Sequence, residues 1–122
     1  MAAMGPAVRW WRAYWDEEDV WFFFETDEGG WVLRQIDVTG PQRIPTAAAA
    51  AAEPPYANRD GHAAVAAYQA KYGRLAESPM SEWDPDFPGV EIDRAAFDDV
   101  WHRARAHLEA RRPDPARDEG SR

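Results

Sequence analysis

The sequence predicts an α+β fold: an antiparallel meander of three or four strands followed by two helices, the C-terminal helix packing on the sheet. Three observations predict it. Aromatic and β-branched residues are concentrated in three short runs, at 8–14, 20–26 and 31–38. Acidic turns separate these runs, and the second turn contains Gly29 and Gly30. Near the C-terminus, apolar residues recur at helical spacing.

The central run, 20–26, is apolar on both faces, which is uncommon in a small half-exposed sheet. We expect the protein's own core on one face and a helix, loop, ligand or second chain on the other. If Thr26 faces Trp31, then Phe23 pairs with Arg34 and Glu25 is a diagonal neighbour of Arg34. One face then holds Trp21, Phe23, Glu25, Val32, Arg34 and Ile36. The other holds Val20, Phe22, Phe24, Trp31, Leu33, Gln35 and Asp37.

The first hairpin is predicted from a pairing of Tyr14 with Val20. This register places Trp11 on the same face as Phe23. A slip of one residue would exchange the two faces of the first strand. The residues predicted to share a face with Phe22 and Phe24 are Trp10, Arg12 and Tyr14.

After the meander, Ile44 is predicted to begin a short strand or turn that is followed by irregular chain. The alanine run 47–52 has high helix propensity, but prolines on both sides confine it, and it is too short for a stable isolated helix. A first helix is expected after Asp60, its cap, and before Gly73, its terminator. Its predicted apolar stripe comprises Ala63, Ala64, Ala67, Tyr68 and Tyr72.

The segment 74–92 contains several prolines but also Met80, Trp83 and Phe87, which need cover. It is therefore predicted to be an ordered loop lying over a core or groove. The last helix is placed at 94–111, with Asp93 as its cap. Its apolar positions are Phe97, Val100, Trp101, Ala104 and Leu108. Residues 8–111 are thus expected to form one domain, with a flexible N-terminus at 1–7 and a disordered tail at 112–122.

Composition limits the classes of partner. The net charge of −8 disfavours nucleic acid, because phosphate binding needs clustered Lys and Arg. No apolar run is long enough to span a bilayer and no leader is recognisable, so we expect a cytoplasmic protein without a membrane partner. There is no cysteine, which removes disulfides and thiol chemistry. The acidic field would steer a basic protein partner.

No catalytic residue, metal site or cofactor is predicted. The histidines are scattered, and His102 and His107 are five residues apart, so they do not share a helix face as metal ligands would. Ser78 and Ser81 have no nearby histidine, and no glycine-rich phosphate loop occurs. The acidic turn 16–19 lacks the alternating ligands of a calcium loop.

A binding surface is predicted from the surplus of rings and the acidic turns, because Trp and Tyr are enriched at the centres of protein interfaces. The competing interpretation is that most of these rings are core. Glu25 and Arg34 are either an internal ion pair or groups that orient a small ligand in an aromatic pocket. The predicted binding residues are Trp10, Tyr14, Asp16, Glu17, Glu18, Asp19, Phe22, Phe24, Glu25, Trp31 and Arg34.

Four short segments resemble small uncharacterised bacterial domains, some of which occur near toxin–immunity loci. They are Arg9-Trp10-Trp11, 30–36, Ser81-Glu82-Trp83 and 97–101, within a region of similarity spanning residues 8–110. The resemblance implies a partner-binding role and carries no catalytic residue.

Three hypotheses follow. The first is a non-enzymatic, protein-binding module of immunity or inhibitor type. The second is a small-ligand-binding protein or minor biosynthetic enzyme whose aromatic pocket contains Glu25 and Arg34. The third is a homodimer joined through the sheet.

Overall fold

A five-stranded antiparallel sheet forms the centre of the protein. The structure is a computed structural model that describes residues 7–110. The strands lie in the order β4-β3-β2-β1-β5. The helices are α1, His62–Tyr72, and α2, Arg94–Ala110. The strands are β1, Arg9–Trp15, β2, Val20–Thr26, β3, Val32–Thr39, β4, Ile44–Ala50, and β5, Val90–Ile92. The predicted α+β fold class, with the C-terminal helix packed on the sheet, is confirmed.

The predicted ends of the chain fall almost entirely outside the described residues. Of the predicted flexible N-terminus, 1–7, only Ala7 is described. The predicted tail, 112–122, lies outside, and the final helix, predicted to reach 111, is described as far as Ala110.

The sheet face covered by α2, here named the helix face, holds the main core. The predicted cap of α2 is confirmed, since Oδ1 of Asp93 accepts the amide hydrogen of Ala96 at 2.8 Å. The small side chains of Ala48 and Ala50 leave room for the rings of α2 above β4. The buried cluster comprises Ile36, Val38, Ala48, Ala50, Phe97, Trp101, Ala104 and Leu108.

The opposite face, here named the loop face, is crossed by residues 74–89, the crossing segment. It contains one 3₁₀ turn, Met80–Glu82, and leads into β5 beside β1. The ring centroids of Trp83 and Phe87 lie 4.9 and 6.0 Å from that of Phe24. The prediction of an ordered loop over a core or groove is therefore confirmed for residues 74–89, and β2 has cover on both faces. Residues 90–92, which were predicted to belong to the same loop, instead form β5.

The predicted register of the first hairpin is wrong by one residue, because Trp15, not Tyr14, lies opposite Val20. Trp10, Arg12 and Tyr14 consequently lie on the helix face, while Trp11 lies on the loop face. The turn explains the shift: Asp19 adopts a left-handed φ of 52°, and its carboxylate accepts the hydroxyl hydrogen of Tyr14 at 2.9 Å.

The predicted register of the second hairpin is wrong by two residues. Phe23 pairs with Ile36, and Glu25 is directly opposite Arg34 rather than diagonal to it. Because the shift is even, these four residues remain on the face predicted for them.

A bulge between Glu25 and Thr26 changes the faces at the end of this hairpin. Val32 lies opposite Thr26 on the loop face, whereas Leu33 borders a pocket with Glu25. The prediction placed Val32 and Leu33 the other way round. The turn is longer than expected because Oδ1 of Asp27 accepts the amides of both Gly29 and Trp31, at 2.9 and 3.0 Å.

The alanine run and the middle helix also differ from expectation. As predicted, Ile44 begins a strand that is followed by irregular chain, but β4 extends to Ala50 and so includes residues 47–50 of the alanine run. The end of α1 at Gly73, with φ 82°, is confirmed, but no side chain caps its start, so the predicted cap at Asp60 is wrong. The predicted stripe is wrong at Ala63, Ala64 and Ala67, which are exposed.

Side chains from both helices occupy the outer edge of β4. Tyr68 of α1 is buried and its hydroxyl accepts the amide hydrogen of Ala50 at 2.8 Å. Arg105 of α2 donates to the carbonyl of Ala48 at 2.8 Å, and Glu53 accepts hydrogen bonds from both Tyr68 and Arg105. These bonds satisfy backbone groups on the outer edge of β4, which the short alanine side chains could not shield from water or from another strand.

Replacing Gly73 with alanine should destabilise the protein more than the same change at Gly40. Both glycines have a left-handed φ, 82° and 81°, but a Cβ on Gly73 would collide with that of Ala47, whereas Gly40 has nothing within 4 Å. We expect Gly40→Ala to lower the free energy of unfolding by about 1 kcal/mol through backbone strain. Gly73→Ala should cost at least about 1 kcal/mol more through overpacking. Urea denaturation measures both, and equal losses would contradict the packing of α1 against β4.

Candidate functional site: an acidic aromatic groove

An open groove of about 490 Å³ lies on the loop face, between the β1–β2 turn and the crossing segment. We name it the acidic groove. Its walls are mainly rings, and Trp15 on its rim is 40% exposed. The residues that line it are Trp15, Glu18, Phe22, Phe24, Gln35, Ala76, Trp83, Asp84 and Phe87.

Two hydrogen bonds, one to β3 and one to the β2–β3 turn, hold the crossing segment in place. The amide of Ala76 donates to Oε1 of the buried Gln35 at 2.8 Å, and the amide of Met80 donates to the carbonyl of Gly30 at 2.8 Å. The indole of Trp83 donates to the carbonyl of Ser78 at 3.2 Å. The ring positions in the groove are therefore set by bonds within the protein, before any partner arrives.

The charged groups of the groove are all acidic. Glu18 lies in the β1–β2 turn and Asp84 in the crossing segment, and both are exposed. Within the part of the chain that the structure describes, neither Lys nor Arg lines the groove. Rings and carboxylates together suit a cation, because the ring faces attract positive charge and the carboxylates accept its hydrogen bonds.

Asp37 is a half-buried carboxyl on the loop face, opposite Phe22 and Ala47. Its Oδ1 accepts a hydrogen bond from the amide of Gln35 at 3.1 Å. Burial raises the pKa of Asp37, and the Gln35 bond offsets this rise only in part.

Replacing Asp37 with asparagine should raise the free energy of unfolding at pH 7. A folded-state pKa above the ordinary 3.8 means that the buried charge opposes folding once the pH exceeds that value. Asparagine removes the charge and keeps the acceptor for Gln35. The gain should shrink as the pH falls towards 3.8, and thermal unfolding across this range measures it. A variant that is less stable at pH 7 would show that the carboxylate has a stabilising partner.

Glu25 and Arg34, predicted to be either an ion pair or a ligand-orienting pair, form an ion pair beneath α2. Nε and Nη2 of Arg34 each donate to the Glu25 carboxylate at 2.8 Å, and Nη2 also donates to Asp98 at 2.8 Å. Trp10 donates its indole hydrogen to Glu25 at 2.9 Å. A ligand that used Glu25 would have to compete with these bonds in the pocket of about 330 Å³ that Glu25 borders.

The guanidinium of Arg34 is also stacked between rings. Its Cζ lies 4.8 and 5.0 Å from the centroids of Phe97 and Trp101 on α2. Burial alone would raise the pKa of Glu25, but the hydrogen bonds from Arg34 and Trp10 outweigh it and leave this pKa lowered. The Arg34 hydrogen bond likewise lowers the pKa of Asp98.

Arg34→Gln should cost about 3 kcal/mol of unfolding free energy at pH 7, because it leaves the partly buried Glu25 carboxylate without a cation and Asp98 with only its longer pair to Arg94. Since the folded-state pKa of Glu25 is lowered, the stability it contributes is complete above 4.5 and is lost as the pH falls through the folded value. The difference between variant and parent should therefore narrow in acid. Arg103→Gln, which breaks an exposed pair with Asp99, is the control and should cost less than about 0.5 kcal/mol. Chemical denaturation at several pH values measures both variants. Similar losses of unfolding free energy would show that the Arg34 ion pair stabilises the protein no more than an exposed pair does.

The predicted binding residues are divided among three places. Phe22, Phe24 and Glu18 line the acidic groove, and Asp16 and Glu17 are exposed in the same turn. Trp31 is 50% exposed in the β2–β3 turn and does not line the groove. The helix face holds Trp10, Tyr14, Glu25 and Arg34, and Asp19 bonds to Tyr14 there.

Six groove residues were not among the predicted binding residues: Trp15, Gln35, Ala76, Trp83, Asp84 and Phe87. Trp83 and Phe87 were predicted to be apolar side chains that need cover. This need indicates that they pack against another surface of the protein. A correct register for the first hairpin would have placed Trp15 beside Phe22 and Phe24.

Comparison with known proteins gives no match: no family model, curated protein or solved structure is significantly similar to the chain. Neither helix within residues 7–110 is long and apolar enough to cross a membrane.

Proposed function

We propose that the protein is a non-enzymatic, cytoplasmic protein-binding module of the inhibitor or immunity type. It holds a basic segment of a partner protein in the acidic groove. The observation that carries the proposal is the lining that residues 7–110 give this groove: aromatic walls, two carboxylates and no cation.

An arginine or lysine side chain of the partner fits this lining. Its cationic head lies over the exposed ring of Trp15 while Glu18 or Asp84 accepts its hydrogen bonds. The apolar stem of the side chain packs on Phe22 and Phe87. Phe22 and Phe24 are stacked with centroids 6.0 Å apart, so the floor is a continuous apolar surface.

Charge outside the groove contributes to the rate of encounter. Asp16 and Glu17 are exposed next to Glu18, and the whole chain carries a net charge of −8. Such a field accelerates association with a basic partner and weakens in salt. The acidic turn thus guides the partner, and the rings and carboxylates of the groove retain it.

Paired peptides test the charge requirement. A short peptide with arginine flanked by small residues should bind, while its twin with citrulline, which keeps the shape and loses the charge, should bind at least about tenfold more weakly. Chemical shifts of the indole groups of Trp15 and Trp83 locate the binding. Equal binding of both peptides, or shifts elsewhere only, would refute the groove.

Variants test which residues retain the partner. The double variant Glu18→Gln, Asp84→Asn should weaken binding of the arginine peptide about tenfold. Asp60→Asn, Asp99→Asn makes the same change of net charge at exposed positions that do not line the groove and should have little effect. If both pairs weaken binding equally, the attraction is a general effect of charge.

Basic proteins encoded by neighbouring genes are the natural candidates for the partner. We expect at least one to form a salt-dependent complex, measured by titration calorimetry at two ionic strengths. Light scattering of the protein alone tests the third hypothesis, a homodimer joined through the sheet. Failure of every candidate to bind, with the protein folded and monomeric, would count against a protein-binding role.

A further inference from the structure

A second groove lies on the helix face, beside α2, and we name it the arginine groove. Its volume is about 270 Å³. Trp21, Phe23, Val38 and Val100 form its apolar lining. The rings of Trp21 and Phe23 lie next to each other in this lining, with centroids 6.4 Å apart and an interplanar angle of 28°. We call this pair of rings the floor of the groove.

Three arginines border this floor, and they come from different elements. Arg12 belongs to β1, Arg43 to the β3–β4 turn and Arg103 to α2. No carboxylate among the described residues lines the groove, although the chain has 22 acidic residues against 14 basic ones. This groove therefore carries positive charge in a protein whose net charge is negative. Its charge is also opposite to that of the acidic groove.

The guanidinium groups can reach a ligand at low cost. Among residues 7–110, Arg12 has no carboxylate within ion-pair distance, and its Cζ lies 5.6 Å from the centroid of Trp21. Arg103 pairs with Asp99 on the surface, where both side chains are about 70% exposed, at 71% and 68%. An exposed pair of this kind is weak, so an anionic ligand can replace Asp99.

Arg43 is held more firmly. It donates to Asp19 at 2.7 Å and to the carbonyl of Gly40 at 2.8 Å, and its Cζ lies 5.8 Å from the ring centroid of Tyr14. These contacts fix one guanidinium at the rim, while Arg12 can turn towards a ligand and Arg103 can do so by giving up its exposed pair with Asp99. A site with one fixed cation and two adaptable ones can clamp an anionic head group.

We propose that the arginine groove is a binding site for a small organic anion, a flat apolar body with a carboxylate. The body stacks on Trp21 and Phe23, and the carboxylate accepts forked hydrogen bonds from Arg12 and Arg103. The volume accommodates one or two fused rings and no more than a small molecule. This site is independent of the acidic groove, because it lies on the opposite face of the sheet and has the opposite charge.

Three probes of one shape test the proposal: 2-naphthoate, its neutral amide and 2-naphthylmethylamine, which is cationic at pH 7. Binding is followed by tryptophan fluorescence and by amide chemical shifts near Trp21 and Val100. We expect naphthoate to bind at millimolar concentration or below, the amide to bind at least about tenfold more weakly, and the amine not to bind at this groove. No naphthoate binding, or equal binding of acid and amide, would overturn the proposal.

Matched variants show whether the arginines are responsible. Arg12→Gln, Arg103→Gln should weaken naphthoate binding at least about tenfold, and neither change touches the core. Arg9→Gln, Arg74→Gln removes the same charge from exposed positions that do not line the groove and should leave binding unchanged. Equal weakening by both pairs would show non-specific attraction and overturn the site. Binding of the arginine peptide should be unaffected, which separates this result from the test of the acidic groove.

Discussion

Strand β2 carries large rings on both of its faces, so both faces have to be covered. The chain that follows β4 provides this cover. Trp21 and Phe23 point to the helix face, while Phe22 and Phe24 point to the loop face. Each ring is worth about 2 kcal/mol when removed from water, so neither face can be left bare. The chain therefore crosses the loop face, adds β5 at the β1 edge and returns over the helix face as α2. Both grooves are places where this wrapping is incomplete.

The class of fold could be predicted because it depends on periodicity, which the aromatic runs and α2 display clearly. The registers could not, because they depend on single hydrogen bonds in the turns, at Asp19 and Asp27. The alanine run reads as helix-forming in isolation. It becomes a strand because Tyr68 and Arg105, distant in sequence, complete its edge. β5, with three residues, is too short to carry a periodic signal.

The sequence predicted the type of site, an acidic and aromatic surface, but not all of the residues that form it. The acidic turn and the rings were recognised, yet a register error of one residue separated Trp15 from the surface to which it belongs. Glu25 and Arg34 stood out as charges among apolar residues, but their third partner, Asp98, is known only once α2 is placed. The arginine groove had no sequence signal, since Arg12, Arg43 and Arg103 are far apart in the chain. Convergence of this kind is a property of the tertiary fold alone.

The wrapped arrangement also has a consequence for biosynthesis. β1 to β4 are complete by residue 50, but the 17 residues of α2 that cover the helix face are the last of the described chain to leave the ribosome. Until then the nascent meander exposes aromatic surface on both sides, together with a bare alanine edge. The meander therefore cannot bury its helix face before α2 has been made. Until then the first half of the domain has to be kept from associating with other chains.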